Sequence, residues 1–479
     1  MREEQTSSRG RKERPLNAGG APFREGERIT IQLGSIASGG DAVGRNGDFV
    51  FFVPYGVPGD IVTIQVTEKR KSYARGEIAL VERPSRDRVE PPCPHFFQCG
   101  GCQFQHISYE AQRAIKKNLV IEALERIGRL SPVNVRDLEE GTAIWHYRNK
   151  VQCVVGGSPA KKDEKGEFRL GLYARKSHRV VDLGECLIQH PLNNKVLASV
   201  RDLLPHTGWT WYREDRHCGH IRHVMSRASQ WSNEVVVTLV ASKVSLAGID
   251  AFAGKLLKRV PEIRGVVLNV NSSRTNVILG REQHVIAGSE TLVEKVKDLE
   301  FSISPLSFFQ VNIQGLVDIL EVVERYACLE GNERVLDLFC GVGLFSLALA
   351  RKAREVHGVD EVGEAIENAI ENARRNGIEN VRFTAGKAEE TVRGLMSGGA
   401  DLVILDPPRS GARREVLEAL ADPGVPRIVY VSCNPATLAR DLGLLCGKGY
   451  RLVEVQPLDM FPHTGQVEAV AYLEKSCRY

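Results

Sequence analysis

The residues best placed to do chemistry cluster late in the 479-residue chain. In "YVSCNPATLARD", Tyr430–Asp441, a β-branched and aromatic run ends at Cys433, and Asn-Pro then opens a run of helix formers. This pattern presents a thiol at a strand end, where it could add to an electron-poor ring, and the following helix start would help lower its pKa. The bland alternative is a buried cysteine serving as a small hydrophobe. Asp406, in "LDPPRSG", closes another strand, and the two prolines stiffen its loop and fix the direction of the carboxylate. Glu468, in "MFPHTGQVEAVAYL", stands at the start of an apolar strand. Beside a strand-end cysteine it makes a nucleophile and base pair, although an isolated Glu there would simply face solvent.

Two further groups could bind cofactors. "LDLFCGVGLFS", Leu336–Ser346, is a strand, a turn containing Gly341 and Gly343, and a helix; the next strand ends in "GVD" at Asp360. Glycines let backbone approach a ligand closely, and a carboxylate at the second strand end can take a ribose diol. The third glycine of a dinucleotide loop is missing, and the turn suits adenosylmethionine better. "PPCPHFFQCGGCQFQH" spaces Cys93, Cys99 and Cys102 as C-x5-C-x2-C, so their thiolates could converge on one metal centre. The fourth ligand would be Cys186, in the loop-like "LGECLIQH", or Cys153, which lies inside a strand and suits a core better. Zinc and an iron–sulfur cluster are both compatible with such a set.

The elements that must position these groups follow from hydrophobic periodicity. From about Ser304 strands and helices alternate, and "YRLVEVQPLDMFP" and "VEAVAYLEK" form a closing strand pair. That is a doubly wound α/β domain, with ligands at the carboxyl ends of its strands. Earlier, the short runs Ile29–Leu33, Phe49–Val53, Ile61–Val66 and Ala74–Val81 are separated by the turns "SGGD", "RNGD" and "GVPGD". They predict a small antiparallel barrel of a kind that often binds oligonucleotides. Residues 85–303 are mixed α+β. Helices are expected at Tyr109–Arg126 and Leu246–Leu257, and strands at Lys150–Val155, Arg169–Leu172, Val180–Asp182, Glu234–Val240, Gly265–Val270 and Asn276–Leu279. Residues 1–22 are polar and basic and read as a disordered tail.

Composition narrows the class. Hydrophobic residues are 42% and charged residues 26%, as in globular proteins, and no apolar run approaches the ~18 residues of a membrane span. The first residues carry no secretory pattern, so a cytoplasmic location is expected. A net charge of +4 does not by itself demand nucleic acid, but "RGRKER" and "EKRKSYARGE" are local basic patches. Eleven cysteines in a long cytosolic chain are not a disulfide framework.

Taken together, "CPHFFQCGGCQFQH", "YRNKVQ", "LGLYARKSHRVVDLGECLIQH", "SFFQVN", "LDLFCGVGLFSL", "LDPPRSG", "SCNPATLARD" and "MFPHTGQVE" resemble the RNA uracil-5-methyltransferase family, most closely its iron–sulfur, TRAM-bearing 23S ribosomal RNA branch. The resemblance runs from about residue 24 to the end. It implies a TRAM barrel, similar to an OB-fold, at 23–84, a central iron–sulfur and RNA-binding domain at 85–303, and a Rossmann-like class I methyltransferase domain at 304–479. Cys93, Cys99, Cys102 and Cys186 would hold a [4Fe-4S] cluster. Gln310, Phe339, Asp360 and Asp406 would contact S-adenosyl-L-methionine, with Cys433 as nucleophile and Glu468 as general base. The implied partner is 23S rRNA, and a monomer is expected. The alternatives are the same reaction on tRNA, or a catalytically inactive iron–sulfur RNA-binding protein; a dead enzyme would have no reason to keep Cys433, Glu468 and the cofactor loop together. Cytosine-5 methylation would call for Pro-Cys, whereas Ser432 precedes Cys433.

Overall fold

Alternating burial along short strands curls the N-terminal segment of the computed structural model into a closed barrel. Its strands are β1 (Arg28–Ile36), β2 (Ala42–Asn46), β3 (Phe49–Val53), β4 (Ile61–Lys69) and β5 (Tyr73–Arg83), in the order β1-β2-β3-β5-β4. Leu33, Phe51, Val53, Val62 and Ile64 fill its interior. β2 was not among the expected strands. Gly-Arg-Asn makes it a weak strand former, and its pairing with β1 and β3 supplies the structure. The barrel is also not wholly antiparallel, because β3 and β5 run parallel where it closes. The structure describes residues 23–138, 143–157, 167–422 and 424–476; the tail expected at 1–22 lies outside them.

A loop carrying three of the cysteines leads to α1 (Tyr109–Arg126), whose first turn is capped by Ser108. There follow β6 (Lys150–Gly157), β7 (Phe168–Tyr173), β8 (Val180–Asp182), α2 (Pro191–Leu203), β9 (Ile221–Ala228), β10 (Val235–Ala241), α3 (Ile249–Arg259), β11 (Ile263–Val270) and β12 (Glu282–Gly288). The strands form one seven-stranded sheet, β12-β11-β10-β9-β6-β7-β8. Val151, Cys153 and Val155 of β6 pack with Val196 and Val200 of α2 and Phe252 and Leu256 of α3. Cys153 is therefore a core residue. Two expectations are corrected here. The strand at Asn276–Leu279 is absent, because the Asn271 side chain takes the Val277 and Ile278 carbonyls at 2.7 and 3.0 Å; the edge strand begins at Glu282 instead. α3 starts at Ile249 rather than Leu246, because Gly248 caps it at φ 78°.

After the hairpin of β13 (Leu292–Val296) and β14 (Leu299–Ile303) comes α4 (Ile313–Ala327), capped by Asn312. The last region alternates β15 (Arg334–Leu338), α5 (Leu344–Ala350), β16 (Glu355–Asp360), α6 (Gly363–Arg375), β17 (Val381–Ala385), α7 (Ala388–Met396), β18 (Leu402–Leu405), α8 (Arg414–Ala421), β19 (Arg427–Ser432), α9 (Pro435–Gly447), β20 (Tyr450–Leu458) and β21 (Glu468–Lys475). The sheet order is β17-β16-β15-β18-β19-β21-β20, parallel up to β19, with β21 antiparallel to both neighbours. Two apolar clusters cover its two faces, so a strand such as β18 is buried along its whole length. The strand order reverses between β15 and β18, and their carboxyl ends open the crevice where such sheets bind ligands. Among the described residues no helix is long and apolar enough to cross a membrane.

Candidate active site

The turn after β15 doubles back on three left-handed residues: Phe339 at φ 69°, Gly341 at 53° and Gly343 at 87°. The Phe339 and Cys340 amides bond the Val359 carbonyl at 2.8 and 3.0 Å, which ties this turn to the end of β16. A Cβ on Gly341 would meet nothing within 4 Å, so the turn faces open space, whereas one on Gly343 would press on the Phe383 ring at 3.0 Å. Asp360 accepts from the Gly341 amide through Oδ2 and the Val362 amide through Oδ1, both at 2.9 Å. Each oxygen keeps a lone pair for a further donor. Behind the turn, buried Asp337 accepts from Ser346 Oγ at 2.5 Å and leaves Oδ1 unbonded. Burial, reinforced by Asp360, pushes its carboxyl up to about 7. A cradle open at Gly341 and flanked by a strand-end carboxylate fits an adenosyl group.

Three more groups meet at neighbouring strand ends. The Asp406 amide bonds the Leu338 carbonyl at 3.3 Å, so Asp406 abuts the cofactor turn. Its loop is pinned to α9: Asn434 Nδ2 bonds the Arg409 carbonyl at 3.0 Å, Arg440 bonds that of Ser410 at 2.9 Å, and Asp441 accepts from the Ala412 amide at 3.0 Å. Cys433 is the joint between β19 and α9, and Asn434 beside it caps the helix. In the β19–β21 ladder Ser432 faces Ala469, and one further step sets Cys433 opposite Glu468. Far from being an exposed acid, Glu468 is 4% exposed. Burial and the nearby Asp406 push Glu468 up to about 8, against Arg409, and burial with Asp337 pushes Asp406 up to about 7. Burial and Glu468 likewise raise the half-buried Cys433 thiol, with Arg409 opposing. The net direction is therefore upward, opposite to the lowering expected from the helix start.

The loop preceding Glu468 is held from several sides. Lys116 of α1, fully buried, ion-pairs with Asp459 at 2.6 Å and donates to the Phe461 carbonyl at 3.0 Å. Gln112 bonds both His463 Nδ1, at 3.2 Å, and the His463 amide, at 3.1 Å. The cysteine loop joins in, since the Gln103 and Phe104 amides donate to the His463 carbonyl at 3.0 and 2.9 Å.

Cys93, Cys99, Cys102 and Cys186 all line one cavity of about 560 Å³, together with Gln310 and Arg409. Gly100 brings their loop onto the sheet, where a Cβ would lie 2.9 Å from the Tyr173 carbonyl. Burial holds up the thiols of Cys99, Cys186 (to about 11) and Cys102 (to about 12), and neighbouring cysteine charges add to it. Among the described residues, however, no three His, Cys, Asp or Glu side chains form a group that could hold one metal ion. What the four thiols share in this structure is the lining of one cavity. Of the other expected residues, Cys433, Glu468 and Asp406 come together and Phe339 and Asp360 shape the turn, while Gln310 lies on the cysteine cavity. Arg409 was not foreseen. It follows Asp-Pro-Pro directly, which was the available signal. Lys116 gave no signal, because a lysine in a helix reads as solvated.

Residues 210–476 match the family described as tRNA (Uracil-5-)-methyltransferase, and residues 22–79 match the TRAM domain. An uncharacterized RNA methyltransferase of Halalkalibacterium halodurans is 39% identical over 456 residues, covering 95% of this chain and 98% of its own. Another, of Caldanaerobacter subterraneus, is 40% identical over 454 residues, covering 94% and 98%. Among solved structures, Pyrococcus abyssi tRNA (uracil-54, C5)-methyltransferase in complex with S-adenosyl-L-homocysteine is 28% identical, with a TM-score of 0.73 over 92% of this chain and 99% of that one.

Proposed function

The chain belongs to the tRNA (uracil-5-)-methyltransferase family, and from that premise we propose that it methylates carbon 5 of a uridine in 23S ribosomal RNA through a covalent cysteine–uracil adduct. It is an adenosylmethionine-dependent RNA methyltransferase with a TRAM domain. The observation that carries the finer reading is the opposed pair of Cys433 and Glu468, beside Asp406 and the cofactor turn.

Carbon 5 of uracil is a weak nucleophile. The partly exposed Cys433 thiol gives its proton to solvent water, and the thiolate adds to carbon 6, making carbon 5 enolate-like and reactive. Adenosylmethionine, when bound, supplies the electrophilic methyl group. After carbon 5 has gained that methyl, the Glu468 carboxylate removes its proton, and the electron pair expels Cys433 from carbon 6 to restore the ring double bond. Burial makes Glu468 a stronger base than a solvated glutamate. Asp360 and Phe339 would hold the adenosyl group and Asp406 would orient the ring or the cofactor, with Gln310 as a further cofactor contact. The uridine must leave its stack to reach the pair, at a cost of about a few kcal/mol.

Cys93, Cys99, Cys102 and Cys186 would hold a [4Fe-4S] cluster. Four thiolates are the ligand set such a cluster would take, and all four thiols line the same cavity. Its role would be to position this region, since the proton transfers fall to Cys433 and Glu468.

A tRNA target is the second reading, favoured by the likeness to the Pyrococcus enzyme over 92% of this chain. Incubation with labelled adenosylmethionine and either unmodified 23S rRNA or tRNA, followed by mapping of the product, separates the two. Label in 5-methyluridine of 23S rRNA alone is the expected result; label in tRNA alone would replace the ribosomal reading.

A further inference from the structure

One wall of the cysteine cavity gathers three cations, Lys150, Arg227 and Arg148. In the β6–β9 ladder Lys150 stands directly opposite Arg227. The odd residues of β6, from Val151 to Val155, face the core under α2 and α3, so Lys150 and Arg227 occupy the other face and line the cavity. Arg227 is 4% exposed, yet its Nε and Nη1 have no hydrogen-bond partner. Glu294 is the carboxylate whose charge reaches Arg227; its oxygens accept from the amides of Gln230 and Trp231 at 2.9 and 3.1 Å, not from the guanidinium Nε or Nη1. Arg148 adds a third cation on the same cavity and donates to the Lys150 carbonyl at 3.1 Å. Burial, then Arg227 and Arg148, lowers Lys150 to about 7, and burial lowers Arg227 to about 10. Like charges facing each other across a ladder oppose folding, and an unpaired buried guanidinium opposes it further. A ligand anion would relieve both.

We propose that Lys150 and Arg227 form an anion subsite that takes a backbone phosphate of the RNA beside the target nucleotide. The proposal rests on the RNA-methyltransferase reading. The guanidinium fork matches a phosphate in bidentate fashion. The cavity extends from these cations to Arg409, whose charge acts on Cys433 and Glu468. A phosphate held here lies on the path of a strand entering the catalytic pocket.

The test uses the full chain with Lys150→Gln, Arg227→Gln and Arg227→Lys. RNA affinity is titrated against salt, together with iron content and the thermal midpoint without RNA. Each neutral variant is expected to bind RNA about tenfold more weakly, with the salt slope reduced by roughly 0.7–0.9. Their midpoints without RNA should equal or exceed that of the parent, since repulsion has been removed. Arg227→Lys should recover part of the affinity and the slope. Unchanged affinity and slope would overturn the subsite. So would lost iron at unchanged RNA affinity, which would assign the cations to the cysteines, or a lower midpoint at unchanged affinity, which would make them structural. Lys150 is half-buried, so its variant decides the matter should Arg227→Gln fail to fold. RNA binding that tracks these cations without methyl transfer to carbon 5 would leave the subsite standing and fail the catalytic reading.

Discussion

In the proposed mechanism Glu468 is an acid made into a base by its surroundings. Its carboxyl is raised to about 8 by burial and Asp406, so proton removal from a preformed adduct should quicken with pH up to about 8 and then level off, falling about tenfold per unit below it. Rapid-quench analysis of adduct decay measures this. Glu468→Gln should accumulate an RNA–protein adduct that survives a denaturing gel. The same shift bears on stability. A folded-state pKa above the unfolded value gives stability that is present below the ordinary carboxylate range and lost as pH rises through about 8. Glu468→Gln should therefore gain on the parent between pH 5 and pH 9, by on the order of a few kcal/mol, in urea titrations. Cys433, Asp406 and Glu468 were legible as strand-end residues because each ends or begins an apolar run. Their electrostatics were not, because burial and the charges of Asp406, Asp337 and Arg409 arrive from other strands. The helix start that promised a lower thiol pKa is outweighed by burial and Glu468.

At the scale of elements, α1 acts as a clamp on the loop that leads into Glu468. Lys116→Met would strand buried Asp459 and should cost about 3–5 kcal/mol of stability, read from the urea midpoint. The cofactor turn is strained in a way only glycine relieves. Gly343→Ala combines φ 87° with a clash on the Phe383 ring, and should cost about 1–2 kcal/mol and weaken S-adenosyl-L-homocysteine binding by calorimetry. Strongly patterned elements were readable, as α1 and β8 coincide with their expected bounds. β2 and β12 were not, since local propensity does not decide them: β2 forms by pairing with β1 and β3, and the start of β12 is set by the Asn271 side chain taking the carbonyls of the residues before it.

For the whole molecule, the cysteine wall is remote in sequence from Glu468, yet it joins the loop before Glu468 through Gln103, Phe104 and the His463 carbonyl. Cys99→Ser should lower iron and sulfide content and slow methylation; a variant that folds and methylates normally without iron would remove the cluster from the account. Sequence spacing grouped Cys93, Cys99 and Cys102, and the family resemblance added Cys186; that all four line one cavity depends on how the Cys93–Cys102 loop docks against Tyr173, which no local pattern records. The central claim is methyl transfer to carbon 5 through Cys433, and RNA carrying tritium at carbon 5 of uridine tests it most directly. One tritium should be released to water for each methyl transferred, and Cys433→Ala should abolish both. Methyl incorporation without tritium release, or full activity in Cys433→Ala, would contradict it.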